Sequence, residues 1–225
     1  MNTSPFPWRI EDLAISDRGT SALLLALMVG IPAGGTVLMP ANICEIVPLA
    51  LTGQGYRVRF HDVDPVSGLA RLADIAGAYR NDDALIAVHN FGRALEIEAI
   101  TGWAKSRSVF LVEDICNAIG ATRQGRPLGQ NGDASIMSFS HAKIVDVGFG
   151  GAVWIADGAL RVRAADILAS WPPFDDPAKV RAAEVLEALR RFQAAAGRRD
   201  PAPVVDVIRS GLNFRLGQAE ITGIA

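Results

Sequence analysis

The stretch VFLVEDICNAIGATRQGRPLGQNGDASIMSFSHAKIVDVGFGG, residues 109–151, decides the fold of this chain. It holds two short apolar runs: Val109-Phe-Leu-Val112 leads into Glu113-Asp114, and Ala134 to Phe139 leads towards Lys143. Unbroken apolar character over so short a run marks a strand covered on both faces, as in a parallel sheet packed between helices. A carboxylate from Asp114, a hydroxyl from Ser138 and an amine from Lys143 then emerge together at the carboxyl edge of one sheet. Open α/β sheets bind their ligands at that edge.

The same pattern continues outward. Strands are expected over residues 37–39, 56–60, 84–88, 109–112, 134–139 and 151–155, with helical patterns over 21–29, 43–51, 69–79 and 95–105 between them. This βαβ rhythm predicts an α/β fold: a mainly parallel sheet, helices on both faces and right-handed crossovers. Turn signals fall at 32–35, at Asp64-Pro65 and at 125–132. Asn42 with Glu45 predicts a capped start to the helix over 43–51, and Pro48 inside that helix is a misfit. Beyond Ile155 the chain reads as a helix over 160–168, a proline-rich loop over 171–177 and an amphipathic helix over 178–196. Val180, Ala183, Leu186 and Phe192 form the apolar stripe of that last helix.

Composition sets the outer bounds. The chain has 225 residues, above the prior of roughly 150 per domain but within the range of one large α/β domain. Its 22 Lys and Arg against 24 Asp and Glu give a formal charge of -2, so no whole-chain field would hold nucleic acid or an anionic membrane. Cys44 and Cys116 form neither a metal knuckle nor a disulfide scaffold, which fits a reducing cytoplasm. The N-terminal MNTSPFPWRIEDLAIS lacks the basic start and apolar core of a leader, and the apolar run 23–31 is too short to span a bilayer. A soluble, untargeted chain is expected.

Three groups at one sheet edge suit pyridoxal phosphate (PLP). A carboxylate at Asp114 would pair with the protonated pyridine nitrogen and keep the ring able to accept electrons; its alternative is to cap the following helix. Lys143 would attach to the cofactor aldehyde, its amine made nucleophilic by desolvation, and would then move the substrate proton. Glycines at 148, 150 and 151 would let backbone approach a flat ring. Arg18-Gly19-Thr20-Ser21 ahead of an apolar helix supplies a helix start for the phosphate, with two hydroxyls and outward N–H groups. Taken singly, Thr20 and Ser21 read as caps, and Ser138 reads equally as a phosphate contact or as a strand-end serine bonded to backbone. His61, His89 and His141 do not cluster at metal-ligand spacing, and His89 reads as a local hydrogen-bonder. Cys44 and Cys116 read as buried small hydrophobes, and Asp62 and Asp64 as stabilisers of the turn before Pro65.

The whole arrangement resembles the DegT/DnrJ/StrS family of PLP-dependent sugar aminotransferases, which have the aspartate aminotransferase fold, fold type I. Val112-Glu-Asp-Ile-Cys-Asn-Ala-Ile-Gly-Ala121 is similar to the family's V-E-D-A-A-Q/H-A-x-G-A. Ser138-Phe-Ser-His-Ala-Lys143 with Gly150-Gly151 is similar to S-F-x-x-x-K-x-x-x-x-G-x-G-G, and Gly19-Thr-Ser-Ala-Leu23 to G-T-x-A-L. Val37-Leu-Met-Pro-Ala41, Phe60-His-Asp-Val-Asp-Pro65 and Val88-His-Asn-Phe-Gly92 follow the family's order. Gly211-Leu-Asn-Phe-Arg215 is similar to G-Y-N-Y-R.

The resemblance implies Lys143 as the cofactor-linking base, Asp114 as partner of the pyridine nitrogen, and Gly19, Thr20, Ser21 and Ser138 at the phosphate. Asn213 would reach the phosphate of a neighbouring subunit in a homodimer. Asn117 stands where the family has Gln or His at the ring hydroxyl, and Asn42-Ile43-Cys44 stands where an aromatic side chain often stacks on the ring. The implied activity is amino transfer from an amino acid such as glutamate to a keto sugar, nucleotide-linked. Domain organisation is then one PLP-binding large domain over 1–225, with a short N-terminal segment 1–18 and a helical extension 156–225. The family's smaller C-terminal domain is missing from this reading. Two alternatives stay open: a non-catalytic partner or binding module that keeps the cofactor motifs, and a related PLP-dependent dehydratase or lyase.

Overall fold

A computed structural model describes residues 6–171 together with 183, 184, 187, 190, 191 and 194. Its strands are β1 (Ala14–Ser16), β2 (Thr36–Pro40), β3 (Arg57–His61), β4 (Ala84–Val88), β5 (Phe110–Asp114), the short pair β6 (Thr122–Arg123) and β7 (Arg126–Pro127), β8 (Ala134–Ser138) and β9 (Gly151–Ile155). The helices are α1 (Gly19–Gly30), α2 (Ile46–Gly53), α3 (Leu72–Ala78), α4 (Ile97–Lys105) and α5 (Gly158–Ser170). One seven-stranded sheet runs β1-β9-β8-β5-β4-β2-β3, and its β3-β2-β4-β5-β8 portion is parallel throughout.

All six expected strands and the four helices between them are present within a few residues. Two features of the sheet were not expected. β9 pairs antiparallel with β8, and β1 pairs antiparallel with β9 at the sheet's edge. No helix separates β8 from β9, so the chain has no crossover to carry it back and returns in the opposite direction. β1 is too short for an apolar period to show. The capping arrangement expected at Asn42 and Glu45 does not form. Glu45 sits in helical conformation without a side-chain cap, and Asn42 Nδ2 donates instead to the Gly68 carbonyl at 2.9 Å. Pro48 is no misfit: it is the third residue of α2, where an N–H would lack an intrahelical acceptor in any case. The helix expected over 178–196 and the Asn213 segment lie outside the described residues, apart from the six positions named above.

Helices and loops cover both faces of the sheet. α1 is apolar all round because it lies between the sheet and both α2 and α5, with Leu25, Ala26 and Leu27 fully buried. Leu95, Ile100 and Trp103 cover Leu85 and Leu111 on the other face, while Phe6 and Trp8 cover Met137 and Phe139. What matters for the site is how closely α1 meets the sheet. A Cβ on Gly151 would lie 2.4 Å from the Arg18 carbonyl carbon and oxygen, and the Gly150 N–H donates to the Asp17 carbonyl at 2.9 Å. The start of α1 is thereby fixed beside the carboxyl end of β8, since Ser138 pairs with Gly151.

Gly151→Ala is expected to lower the unfolding free energy by about 2 kcal/mol through this overlap. Urea denaturation should show an earlier midpoint at unchanged slope; an unchanged midpoint would mean that α1 does not approach β9 so closely.

Candidate functional site

A cavity of about 360 Å³ opens between the start of α1 and the carboxyl ends of β4, β5 and β8. The strand order places it beside the switch point between β2 and β4, where successive connections leave in opposite directions. Gly19 and Thr20 line it from α1, Asp114 and Asn117 from the end of β5, and Ser138 and Lys143 from β8 and its following loop. Ser21 lies in the first turn of α1 but off the cavity wall, and Asn213 lies outside the described residues.

Asp114 closes β5 and is 7% exposed. Its Oδ1 accepts the Cys116 N–H at 2.9 Å, and its carbonyl accepts the His89 N–H at 3.0 Å. The Cys116 bond makes Asp114 the cap of a turn over 116–120 and not, as the sequence suggested, of a helix, while Asp114 also lines the cavity. Lys143 Nζ donates to Asn117 Oδ1 at 3.0 Å. Burial pushes the Cys116 thiol pKa well up, the Asp114 carboxylate adds to that rise, and the Lys143 ammonium opposes it. Asp114, Cys116 and Lys143 therefore share one electrostatic neighbourhood.

The loop carrying Lys143 is pinned by a residue that the motifs did not single out. Asp146 is buried; its Oδ2 accepts the Ala142 N–H at 2.9 Å and its Oδ1 the Gly148 N–H at 3.0 Å. Ala142 is held at φ 64°, a left-handed conformation that costs a residue with a side chain energy, so the loop is held firmly enough to keep it there. One acid within Ile144-Val-Asp-Val147 was the available signal.

The other end of the cavity is formed by the start of α1. α1 starts at Gly19 behind an extended Arg18 with no side-chain cap, so the first-turn N–H groups keep no side-chain acceptor. Thr20 and Ser21 are inside the helix and do not cap it. A Cβ on Gly19 would lie 2.9 Å from Ser138 Cβ, which puts the Ser138 hydroxyl at the helix start. That hydroxyl bonds to the Ser140 hydroxyl at 2.9 Å and not to backbone.

Beneath the site, Glu113 is fully buried yet accepts hydrogen bonds from the N–H groups of Gly129, Asn131 and Gly132 and from His89 Nε2 at 3.1 Å. His89 Nδ1 accepts the Leu95 N–H, so by this network Nε2 carries the proton. His89 is the local hydrogen-bonder that its position at a strand end implied. Burial alone would raise the Glu113 pKa, but the His89 bond and the Asn131 and Gly129 N–H groups outweigh it and hold the carboxyl below its ordinary 4.5. The acid in an otherwise apolar strand was the sign of this network. Asp64 holds its turn as expected, accepting the Val66 and Ser67 N–H groups at 3.1 and 2.7 Å. Cys44 is exposed on the cavity wall and not buried, because the segment ahead of α2 forms the cavity's lip.

The donor set fits PLP: an anion-accepting helix start with hydroxyls at one end, a carboxylate oxygen at the other, and an amine between them. Among the described residues no group of three or more His, Cys, Asp or Glu could hold a metal ion. Two outcomes follow. A depressed carboxyl pKa contributes stability that is complete above 4.5 and is lost as the pH falls through the folded value. Glu113→Gln should therefore be less stable by about 3 kcal/mol at neutral pH, with a gap that narrows below pH 4.5; a gap of constant size in urea titrations would count against the network. For the thiols, the native chain should react with one equivalent of a disulfide reagent through Cys44 and with a second only on unfolding. Rapid reaction of both in the native state would contradict the burial of Cys116.

A profile of the DegT/DnrJ/EryC1/StrS aminotransferase family matches residues 13–171. The chain is 34% identical to GDP-perosamine synthase of Escherichia coli O157:H7 over 63% of its own length and 40% of that protein's. It is 31% identical to dTDP-4-dehydro-2,3,6-trideoxy-D-glucose 4-aminotransferase of Saccharopolyspora spinosa over 68% of its own length and 40% of that protein's. The chain thus spans less than half the length of these curated relatives. Among solved structures it is similar to DesI with its TDP-sugar product, at 29% identity and a TM-score of 0.69, over 80% of this chain and 48% of that one. This chain belongs to the DegT/DnrJ/EryC1/StrS aminotransferase family.

Proposed function

We propose that the chain is the cofactor-binding domain, over 1–225, of a PLP-dependent aminotransferase that moves an amino group from an amino acid to a keto sugar. One observation carries this reading: Asp114 and Lys143, 29 positions apart in sequence, face a single cavity whose far end is a helix start. The names of the relatives support a nucleotide-linked sugar as acceptor. Another relative, L-glutamine:2-deoxy-scyllo-inosose aminotransferase of Micromonospora echinospora, 30% identical over 189 residues, brings glutamine beside glutamate as donor.

When bound, PLP supplies an electron-accepting ring that allows nitrogen to be removed from one carbon and given to another. The chain's own residues do the rest. Thr20, Ser138 and the first-turn N–H groups of α1 would hold the phosphate, and Gly19 lets Ser138 lie against the helix start. The Asp114 carboxylate would hold a proton on the pyridine nitrogen; at about 4 Å and an effective dielectric near 20 such a pairing is worth roughly 4 kcal/mol, enough to fix the protonation state. Lys143 Nζ would hold the aldehyde end of the cofactor, and its amine would take and return the substrate proton. Asn117 orients Nζ through its amide oxygen. Asn213 completes the phosphate site of a second copy, which makes the working unit a homodimer. A cytoplasmic setting is supported by Cys44 and Cys116, which are both free. Among the described residues no helix is long and apolar enough to cross a membrane.

Mixing the chain with PLP should produce a visible absorbance band that Lys143→Ala abolishes; a band that survives in that variant removes Lys143 from its role. Glutamate or glutamine should then discharge the band, and Asp114→Asn should slow the discharge by about a thousandfold. Retention of the band with no discharge by either donor would indicate a binding module. A keto sugar consumed without net amino transfer would indicate a dehydratase or lyase.

A further inference from the structure

We propose that Ser140 supports the phosphate subsite as a positioning residue: it donates to the Ser138 oxygen, so that the one Ser138 proton is left for the anion. This inference rests on the PLP reading above. Nothing in the motifs quoted above assigns position 140, which stands at an open place between Ser138 and Lys143.

Local geometry carries the argument. Ser138 closes β8 and Ser140 lies at the bend that follows, with Phe139 between them turned to the opposite side. Phe139 is fully buried in the core beside Met137, while Ser138 and Ser140 both line the cavity. The alternation is anchored: the Phe139 N–H donates to the Gly150 carbonyl at 2.9 Å, and its carbonyl accepts the Val147 N–H at 3.0 Å. Ser140 is thus held by the backbone on either side of Phe139, close enough for its Oγ to lie 2.9 Å from Ser138 Oγ. Among the described residues it is the one hydrogen-bond partner of the Ser138 hydroxyl.

Proton counting then fixes the direction of that bond. Each hydroxyl has one hydrogen to donate. A bond to a charged acceptor is roughly twice as strong as one between neutral groups, so an anion at the start of α1 draws the Ser138 hydrogen to itself. The pair keeps its own bond in that state only if Ser140 is the donor. The resulting line from Ser140 to Ser138 to the anion polarises each hydroxyl in turn and strengthens the last bond. Without Ser140, no bond to the Ser138 oxygen restrains that hydroxyl, and its rotor freedom must be lost when ligand binds.

The test compares ligands that differ only at the phosphate. Affinities of the full chain for PLP and for pyridoxal are read from quenching of tryptophan fluorescence. Ser140→Ala should weaken PLP by about 10-fold or more and leave pyridoxal unchanged, while Ser140→Thr, which restores a hydroxyl, should recover most of the loss. Because Ser140 acts through Ser138, the double variant with Ser138→Ala should bind PLP no worse than Ser138→Ala alone. An equal loss for both ligands in Ser140→Ala, an unchanged PLP affinity, or multiplying losses in the double variant each overturn the proposal. If the unaltered chain binds PLP and pyridoxal equally, the phosphate reading fails first and this inference with it.

Discussion

The site depends on the contact between the first turn of α1 and the edge of the sheet at β8 and β9. Two residues without side chains allow it, Gly19 against Ser138 and Gly151 against the Arg18 carbonyl. A helix of mostly buried, apolar residues would pack against this sheet in any case, driven by the area it removes from water. That driving force is non-directional and does not place the first turn to better than a side chain's width. The two glycines convert general burial into a defined approach, and the unused N–H groups of the helix are brought to the one edge where a serine hydroxyl and a lysine loop also arrive.

Glu113 fixes the other side of the cavity by a different means. A fully buried carboxylate is unfavourable unless its lone pairs are filled, and here the N–H groups of the 129–132 turn and the His89 ring fill them. The same His89 gives its backbone N–H to the Asp114 carbonyl. Asp114 therefore inherits its position from a network on the opposite face of its own strand. Glu113 and Asp114 are neighbours whose side chains point to opposite sides of the sheet, one holding structure and the other open to ligand.

Most of this was legible in the sequence because strands buried on both faces leave a strong apolar signature, and the chemistry sits where those runs stop. Val-Phe-Leu-Val before Glu113-Asp114 and Ala134 to Phe139 before Lys143 gave both the parallel sheet and the edge on which the site lies. What escaped was set by tertiary contact. β1 has three residues and exists as a strand because β9 lies beside it. The direction of β9 follows from a missing crossover helix, and Pro48 reads as a misfit only until the true start of α2 is known. Asn42 looked like a cap by spacing, but its partner is the Gly68 carbonyl, which only the folded chain brings near. Cys44 looked like a core residue by type, but it forms the cavity's lip. Glu113 and Asp146 carried a usable sign, an acid inside an apolar run, whose meaning depended on N–H groups distant or unassigned in sequence.

The arrangement of charge within the cavity is itself informative. Lys143 and Asp114 are the obvious ion pair of this site, yet the Lys143 ammonium is bonded to the neutral Asn117 amide, and Asp114 is bonded to a backbone N–H. A partly buried Lys–Asp pair would have to be broken by any ligand that needs both groups, at a cost of several kcal/mol for leaving each charge without its partner. A neutral acceptor holds the lysine by about 2 kcal/mol. It thus fixes the position of the amine while leaving it easy to detach. Engaging an electrophile and a cation at once, as the proposed reading requires, is easier for a site whose own two charges are bonded to neutral groups, as Lys143 and Asp114 are here.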